Sequence, residues 1–140
     1  MARLLTLLEI VSQAAMEIGI AQQAVQSVVQ SQDQDIVQMR ALLYSVADEV
    51  LAEEPYVATL GDQNWIADVD GVPQEYFEKD NDVVMFDGRL AINGVKWRFL
   101  AAKSLEFGEA MRDFTTRMAK LAARSNARVL DLDAEDSRVQ

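Results

Sequence analysis

The sequence predicts a mainly α-helical domain, a small bundle of four to five helices around an irregular middle segment. Three observations carry this. Half of the 140 residues are hydrophobic, and only six glycines and two prolines interrupt the chain, a balance that favours helices over a sandwich or barrel. Apolar residues recur at helical spacing in the first and last thirds of the chain. Between Tyr56 and Asp87 that spacing vanishes, and Gly61-Asp62, Asp70-Gly71, Pro73 and Asp87-Gly88 punctuate the sequence. A chain of this length has room for one domain, which buries roughly two-thirds of the surface exposed by its unfolded form.

The first helix is expected from about Leu4 to Ile18, because Leu4, Leu7, Leu8, Val11, Ala15 and Ile18 form one apolar stripe. Gly19 then ends it, as a residue in the left-handed conformation does. The uncharged, glutamine- and valine-rich stretch from Ile20 to Gln30 reads as an extended or irregular connector. Ser31 resembles an N-cap, with Gln34 three residues on completing a capping box and Asp33 and Asp35 at the positive end of the helix dipole. Ile36, Met39, Leu43, Ala47 and Val50 supply the buried stripe of this second helix, which Pro55 stops.

The middle segment reads as loops with one short hairpin. Helical spacing returns at Arg89, with Leu90, Trp97 and Ala101 on one side and Val95, Phe99 and Ala102 adjoining. A break near Lys103-Ser104 precedes a last helix for which Ser104 is the expected cap. Phe107, Ala110, Met111, Phe114, Met118, Leu121 and Ala122 follow the i, i+3, i+4, i+7 pattern in it. Past Ser125-Asn126 the period is lost. Residues 1–126 are therefore expected to form the helical domain, packed around Leu8, Val11, Leu43, Trp97, Phe107 and Phe114. Residues 127–140 are expected to form an extended C-terminal arm.

Composition removes several function classes. The chain has no cysteine and no histidine, which excludes disulfides and thiolate metal sites and takes away the commonest general base. The opening Met1-Ala2-Arg3-Leu4-Leu5-Thr6-Leu7-Leu8 briefly looks like a signal peptide, but Glu9 and Glu17 make it an amphipathic helix. No stretch approaches the ~20 apolar residues of a membrane span, so the chain is expected to be intracellular when made.

The net charge of −10 is unevenly spread. Residues 1–88 carry sixteen acids against three bases, and residues 89–128 carry three acids against nine bases. Such asymmetry either lets the basic helices of one copy face the acidic surface of another or marks ordinary solvated faces. A nucleic-acid reader of the usual kind needs a basic domain, which this is not.

Candidate acid/base pairs are Glu53 with Glu54 and Asp68 with Asp70. Two carboxylates can hydrolyse a glycosidic bond, but they must flank it at about 5 to 9.5 Å, and adjacency in sequence fixes no such separation. Asp68-Val69-Asp70-Gly71 has the start of a calcium loop. Aligning it so puts Ile66 and Phe77 where oxygen ligands belong, so a turn is the better reading. No run has the glycine, lysine and hydroxyl spacing of a phosphate loop. The expectation is a chain without catalytic residues, bound metal or cofactor.

The tail is different. Arg128, Val129, Leu130, Asp131, Leu132 and Asp133 interleave apolar residues with acids beyond the last expected core position. A frayed terminus and a peptide arm that docks on another protein both fit this composition.

Asp87-Gly88-Arg89-Leu90-Ala91-Ile92-Asn93-Gly94-Val95-Lys96-Trp97-Arg98-Phe99-Leu100-Ala101-Ala102-Lys103, followed by Leu105-Glu106-Phe107 and a long amphipathic helix, resembles the small head-to-tail adaptor proteins of phages. In that family a leucine, a glycine and a Trp-Arg pair typically precede an Ala-Lys-Gly turn and an aromatic residue. Leu5-Thr6-Leu7-Leu8, Ile18-Gly19-Ile20 and Ser31-Gln32-Asp33 share the family's layout, so the resemblance covers most of the chain. Ser104 stands where a glycine is usual, and Phe107 where a tyrosine is usual. No proline follows Gly19-Ile20, and the middle segment is shorter than in many relatives. The motifs are packing and turn residues without a chemical signature.

The resemblance implies a structural virion protein at the head-tail junction, made in the host cytoplasm and assembled as a homo-oligomeric ring of twelve copies beneath the portal protein. The tail would bind the portal, and the ring would present a platform to a downstream tail component, a nozzle or stopper. DNA would pass through the ring without sequence-specific binding, favoured by an acidic lumen that offers it no basic contacts. A small helical regulator of another protein is the alternative reading, and a carboxylate-based glycan hydrolase the third.

Overall fold

The computed structural model describes residues 4–21, 25–52 and 64–139, with the backbone alone described over 125–139. It has four helices among the described residues: α1 (Leu7–Glu17), α2 (Gln34–Leu51), α3 (Gly88–Ala102) and α4 (Gly108–Val139). Four two-residue strands accompany them: β1 (Leu5–Thr6), β2 (Ile66–Ala67), β3 (Pro73–Gln74) and β4 (Val83–Val84). The protein is mainly α, as the sequence predicts.

The N-terminus departs first. Leu5 and Thr6 form a strand paired antiparallel with Val84 and Val83 of β4, and the helix starts only at Leu7. Thr6 is its N-cap. The Thr6 hydroxyl accepts from the Glu9 N–H at 3.2 Å, while the Thr6 N–H donates to Glu9 Oε1 at 3.0 Å, closing a capping box. The change of element turns the buried face, so Leu7, Ile10, Val11, Ala14 and Ala15 are buried while Leu8 is only partly so. Gly19 ends the helix at φ +83° as expected.

The cap of α2 is Asp33, not Ser31, and its carboxylate accepts from the Asp35 N–H at 2.9 Å. Ser31 instead accepts from the Asp33 N–H at 3.1 Å, holding the approach to the cap. The expected stripe of Ile36, Met39, Leu43, Ala47 and Val50 is buried throughout, with Val46 added.

The middle segment contains the expected hairpin. β2 pairs antiparallel with β3 and with β4, giving the sheet order β1-β4-β2-β3. Asp68 closes the hairpin turn: its Oδ1 accepts from the N–H groups of Asp70 and Val72, both at 2.9 Å. Gly71 sits at φ +86°, the left-handed position that a short hairpin loop gives to glycine. Against this sheet, Tyr44 of α2 meets Trp65 and Phe77 edge-on at 5.5 and 5.6 Å.

Asp80 ties the connector to the middle segment. Its carboxylate accepts from the Ser27 hydroxyl at 2.7 Å and the N–H groups of Val28 and Val29 at 2.8 and 2.9 Å. Burial opposes its charge, but those donors and Arg40 prevail and hold its pKa below the usual carboxylate value.

α3 is the central element and packs against α1, α2 and α4. Six consecutive residues, Leu90 to Val95, are buried in it, which explains why no narrow stripe stands out in its sequence. Gly94 lets the helices close: a Cβ built there would lie 2.6 Å from Val46 Cγ1 on α2 and 3.1 Å from Phe114 on α4.

Two expectations about the last helix change. Ser104 is no cap; it occupies the turn after α3 at φ +60°, a left-handed conformation that suits glycine better than serine. The chain enters α4 from Phe107, whose carbonyl accepts the first helical bond from the Met111 N–H at 2.9 Å. Where an extended arm beyond residue 126 is expected, α4 runs on as helix to Val139. Nothing between Glu109 and Gln140 is proline or glycine, and arginine, alanine, leucine and glutamate are good helix formers. The apolar spacing is interrupted at Ser125 and resumes at Val129 and Leu132, and the interruption does not end the helix. Val11, Leu43 and Phe114 are buried in the core as expected, whereas Trp97 lies at its margin and Phe107 is exposed. The reason is position: Phe107 precedes the first turn of α4 and stacks on the outside of Trp97, 6.1 Å between centroids.

Candidate functional site

α4 contributes Arg117 to a groove and carries the expected docking residues further along its length. After the Lys103-Ser104 turn, α4 runs antiparallel to α3. Near the turn, Trp97 meets Phe107 and Phe114, with Phe114 at 6.4 Å. At the other end Arg117 reaches Asp87, the N-cap of α3. Its Nε and Nη2 donate to the carboxylate at 2.5 and 2.9 Å, while Asp87 Oδ2 also accepts from the Leu90 N–H at 2.9 Å.

At Arg117, about 14 Å along α4, the long side chain thus reaches the start of α3. At 1.5 Å per residue its 32 residues span about 48 Å, against about 22 Å for the 15 of α3. Met118 and Leu121 still pack on the core. Roughly 33 Å of helix follows Arg117, and Arg128, Val129, Leu130, Asp131, Leu132 and Asp133 all belong to that part.

A groove of about 520 Å³ lies between α1, the start of α3 and α4. Ser12, Gln13 and Met16 of α1 line one wall, and Arg89, Ile92 and Arg117 the other. Both of its arginines are paired with carboxylates. Glu17 accepts from both terminal nitrogens of Arg89 at 2.6 and 2.7 Å and from Lys96 Nζ at 2.8 Å. The Arg89 hydrogen bond outweighs desolvation and, with Lys96 and Gln13, lowers the Glu17 pKa to about 2. The same contact raises that of Arg89. A carboxylate held ionised by two cations is a clamp between helices, not a proton donor or acceptor near neutral pH.

This pattern extends over the molecule. Arg89 and Lys96 reach Glu17, Arg98 reaches Glu49, Lys103 reaches Asp35 at 3.4 Å, and Arg117 reaches Asp87. Five of the nine bases in residues 89–128 thus pair with acids from residues 1–88, and much of the asymmetry in sequence is consumed within one chain. The sequence gives no direct sign of these partners, since they are joined across the bundle. Arg98 also lies over the Trp97 ring, 4.6 Å from its centroid, so the Trp-Arg pair is a packing device linking α3 to α2.

No family model, curated protein or solved structure shows significant similarity to the chain.

Of the carboxylate pairs, Glu53 and Glu54 lie outside the described residues. Asp68 is occupied in the hairpin turn, and Asp70 is exposed beside it. Among the described residues no three His, Cys, Asp or Glu side chains gather as a metal would need, and no helix is long and apolar enough to cross a membrane. What the arrangement offers is surface: a groove whose arginines are paired and a long helix that outruns its neighbour.

Proposed function

We propose that the protein is a non-enzymatic phage head-to-tail adaptor that forms a ring beneath the portal protein and uses the distal part of α4 to attach to it. The observation that carries this reading is the reach of α4 past the end of α3, with Arg128 to Asp133 on that extension. A helix with an interleaved apolar and acidic sequence can lay one face into a partner groove. Twelve such helices on one ring would engage together, so a weak single contact still gives firm attachment.

The packing of the motif residues supports the same reading. Leu90 is fully buried, Gly94 permits the close approach of α2 and α4, and Trp97 with Arg98 braces α3 against its neighbours. These residues build a rigid helical body and leave the extension to meet partners. The net charge of −10 suits a wall past which DNA slides. The ring would hand the channel on to a nozzle or stopper protein, at the head-tail junction of the virion.

Deleting residues 127–140 tests the reading. The truncated protein should keep its helical body and abolish co-sedimentation with purified portal rings, which the full chain should show. Normal attachment by the truncated protein would refute the role of α4. Failure of the full chain to bind portal rings, or to assemble on them, would refute the adaptor function.

A further inference from the structure

We infer that, in the free protein, the distal part of α4 pairs antiparallel with the same segment of a second copy of this chain, about a two-fold axis. Three observations carry this. α4 continues for roughly 33 Å beyond Arg117, whose side chain meets the N-cap of α3. In sequence, Phe114, Met118, Leu121, Ser125, Val129 and Leu132 continue one spacing of three and four residues. The charges along the helix separate: Lys120, Arg124 and Arg128 come first, and Asp131, Asp133, Glu135 and Asp136 follow.

The last observation selects the occupant and its direction. At 100° per residue, Lys120, Arg124, Asp131 and Glu135 fall along one edge of the helix, beside the apolar spacing. A parallel pair would set like charges together. An antiparallel pair layered at Ser125 and Val129 sets Arg124 opposite Asp131 and Lys120 opposite Glu135. The two-fold axis repeats each pairing, as an isologous interface requires. Lys120 and Arg124 are exposed and have no ion pair among the described residues, so they are available for it. The pairing does not depend on the adaptor reading. If that reading holds, portal docking displaces the second copy from the same segment.

Sedimentation of the full chain without any partner tests this. A monomer–dimer equilibrium is expected, with a dissociation constant that rises at least about tenfold between low and high salt, because exposed pairs are screened. Lys120→Glu with Arg124→Asp should leave a monomer, and so should Asp131→Arg with Glu135→Lys. Mixing the two variants should restore a dimer, now a heterodimer, and all four changes in one chain should restore the homodimer. Circular dichroism of each variant reports whether the helix is kept. A wild-type chain that stays monomeric at every concentration would overturn the inference. So would self-association indifferent to these exchanges, or a mixture that remains monomeric while both variants are folded.

Discussion

Arg117 of α4 and Asp87 at the N-cap of α3 form a two-pronged contact at 2.5 and 2.9 Å, and the Asp87 carboxylate is fully buried. One side chain thus starts a helix and fastens another to it. Asp87→Ala removes both, and a cap alone is worth about 1 kcal/mol. With the buried pair broken as well, a loss of about 3 kcal/mol is expected in urea unfolding. Asp87→Asn, which can still cap, should cost less. Equal costs for the two variants would show that the cap contributes little beyond the Arg117 contact.

Gly94→Ala places a methyl group 2.6 Å from Val46 Cγ1. Overpacking of this kind costs about 1–3 kcal/mol, more than the gain in helix propensity from alanine. Val46→Ala in the same chain should recover part of that loss. A double-mutant cycle with no coupling would place the strain elsewhere.

Ser104 stands at φ +60° without the freedom of glycine. Ser104→Gly should raise stability by about 1 kcal/mol, seen as an increase in melting temperature. A decrease would mean that the serine side chain supports the turn.

Glu17 makes stability depend on acid pH. Its pKa falls from 4.5 unfolded to about 2 folded, so the unfolded chain binds the proton more readily. The contribution is complete above about pH 4.5 and is lost as pH falls towards 2. Because the site is partly exposed, screening limits it to about 1 kcal/mol. Glu17→Gln should flatten the unfolding free energy across that window, relative to wild type, and leave the slope above pH 6 unchanged.

Phe114 is fully buried and Phe107 is 37% exposed. Phe114→Ala should therefore cost about 3–5 kcal/mol, and Phe107→Ala clearly less, by the same denaturation measurement. Similar costs would mean that Phe107 packs as a core residue.

That contrast shows what could be read from the sequence. The stripe of α2 was legible because Ile36, Met39, Leu43, Ala47 and Val50 repeat over about four turns and all face one core. The hairpin was legible at Asp68 to Gly71 because a left-handed glycine and a capping aspartate leave a short, specific signature. Phe107 matched the helical period of α4 yet lies before its first turn, where spacing no longer decides direction. Leu5 and Thr6 were hidden inside a leucine run, since a two-residue strand has no period to detect. Their pairing with Val83 and Val84 depends on residues far along the chain. In the candidate site, Arg128 to Asp133 could be picked out by composition, but not their helical state. The ion pairs of Glu17 and Asp87 join distant segments and carry no local signal.

The β1–β4 pairing has a consequence for how the protein is made. Leu5 and Thr6 find their partners only at Val84 and Val83, and Ser27 to Val29 find theirs only at Asp80. A nascent chain shorter than this has an N-terminal helix with no seat and apolar residues in water. Such long loop closures slow folding. More than half of the chain must therefore leave the ribosome before its beginning can settle, and the exposed interval favours chaperone capture or aggregation.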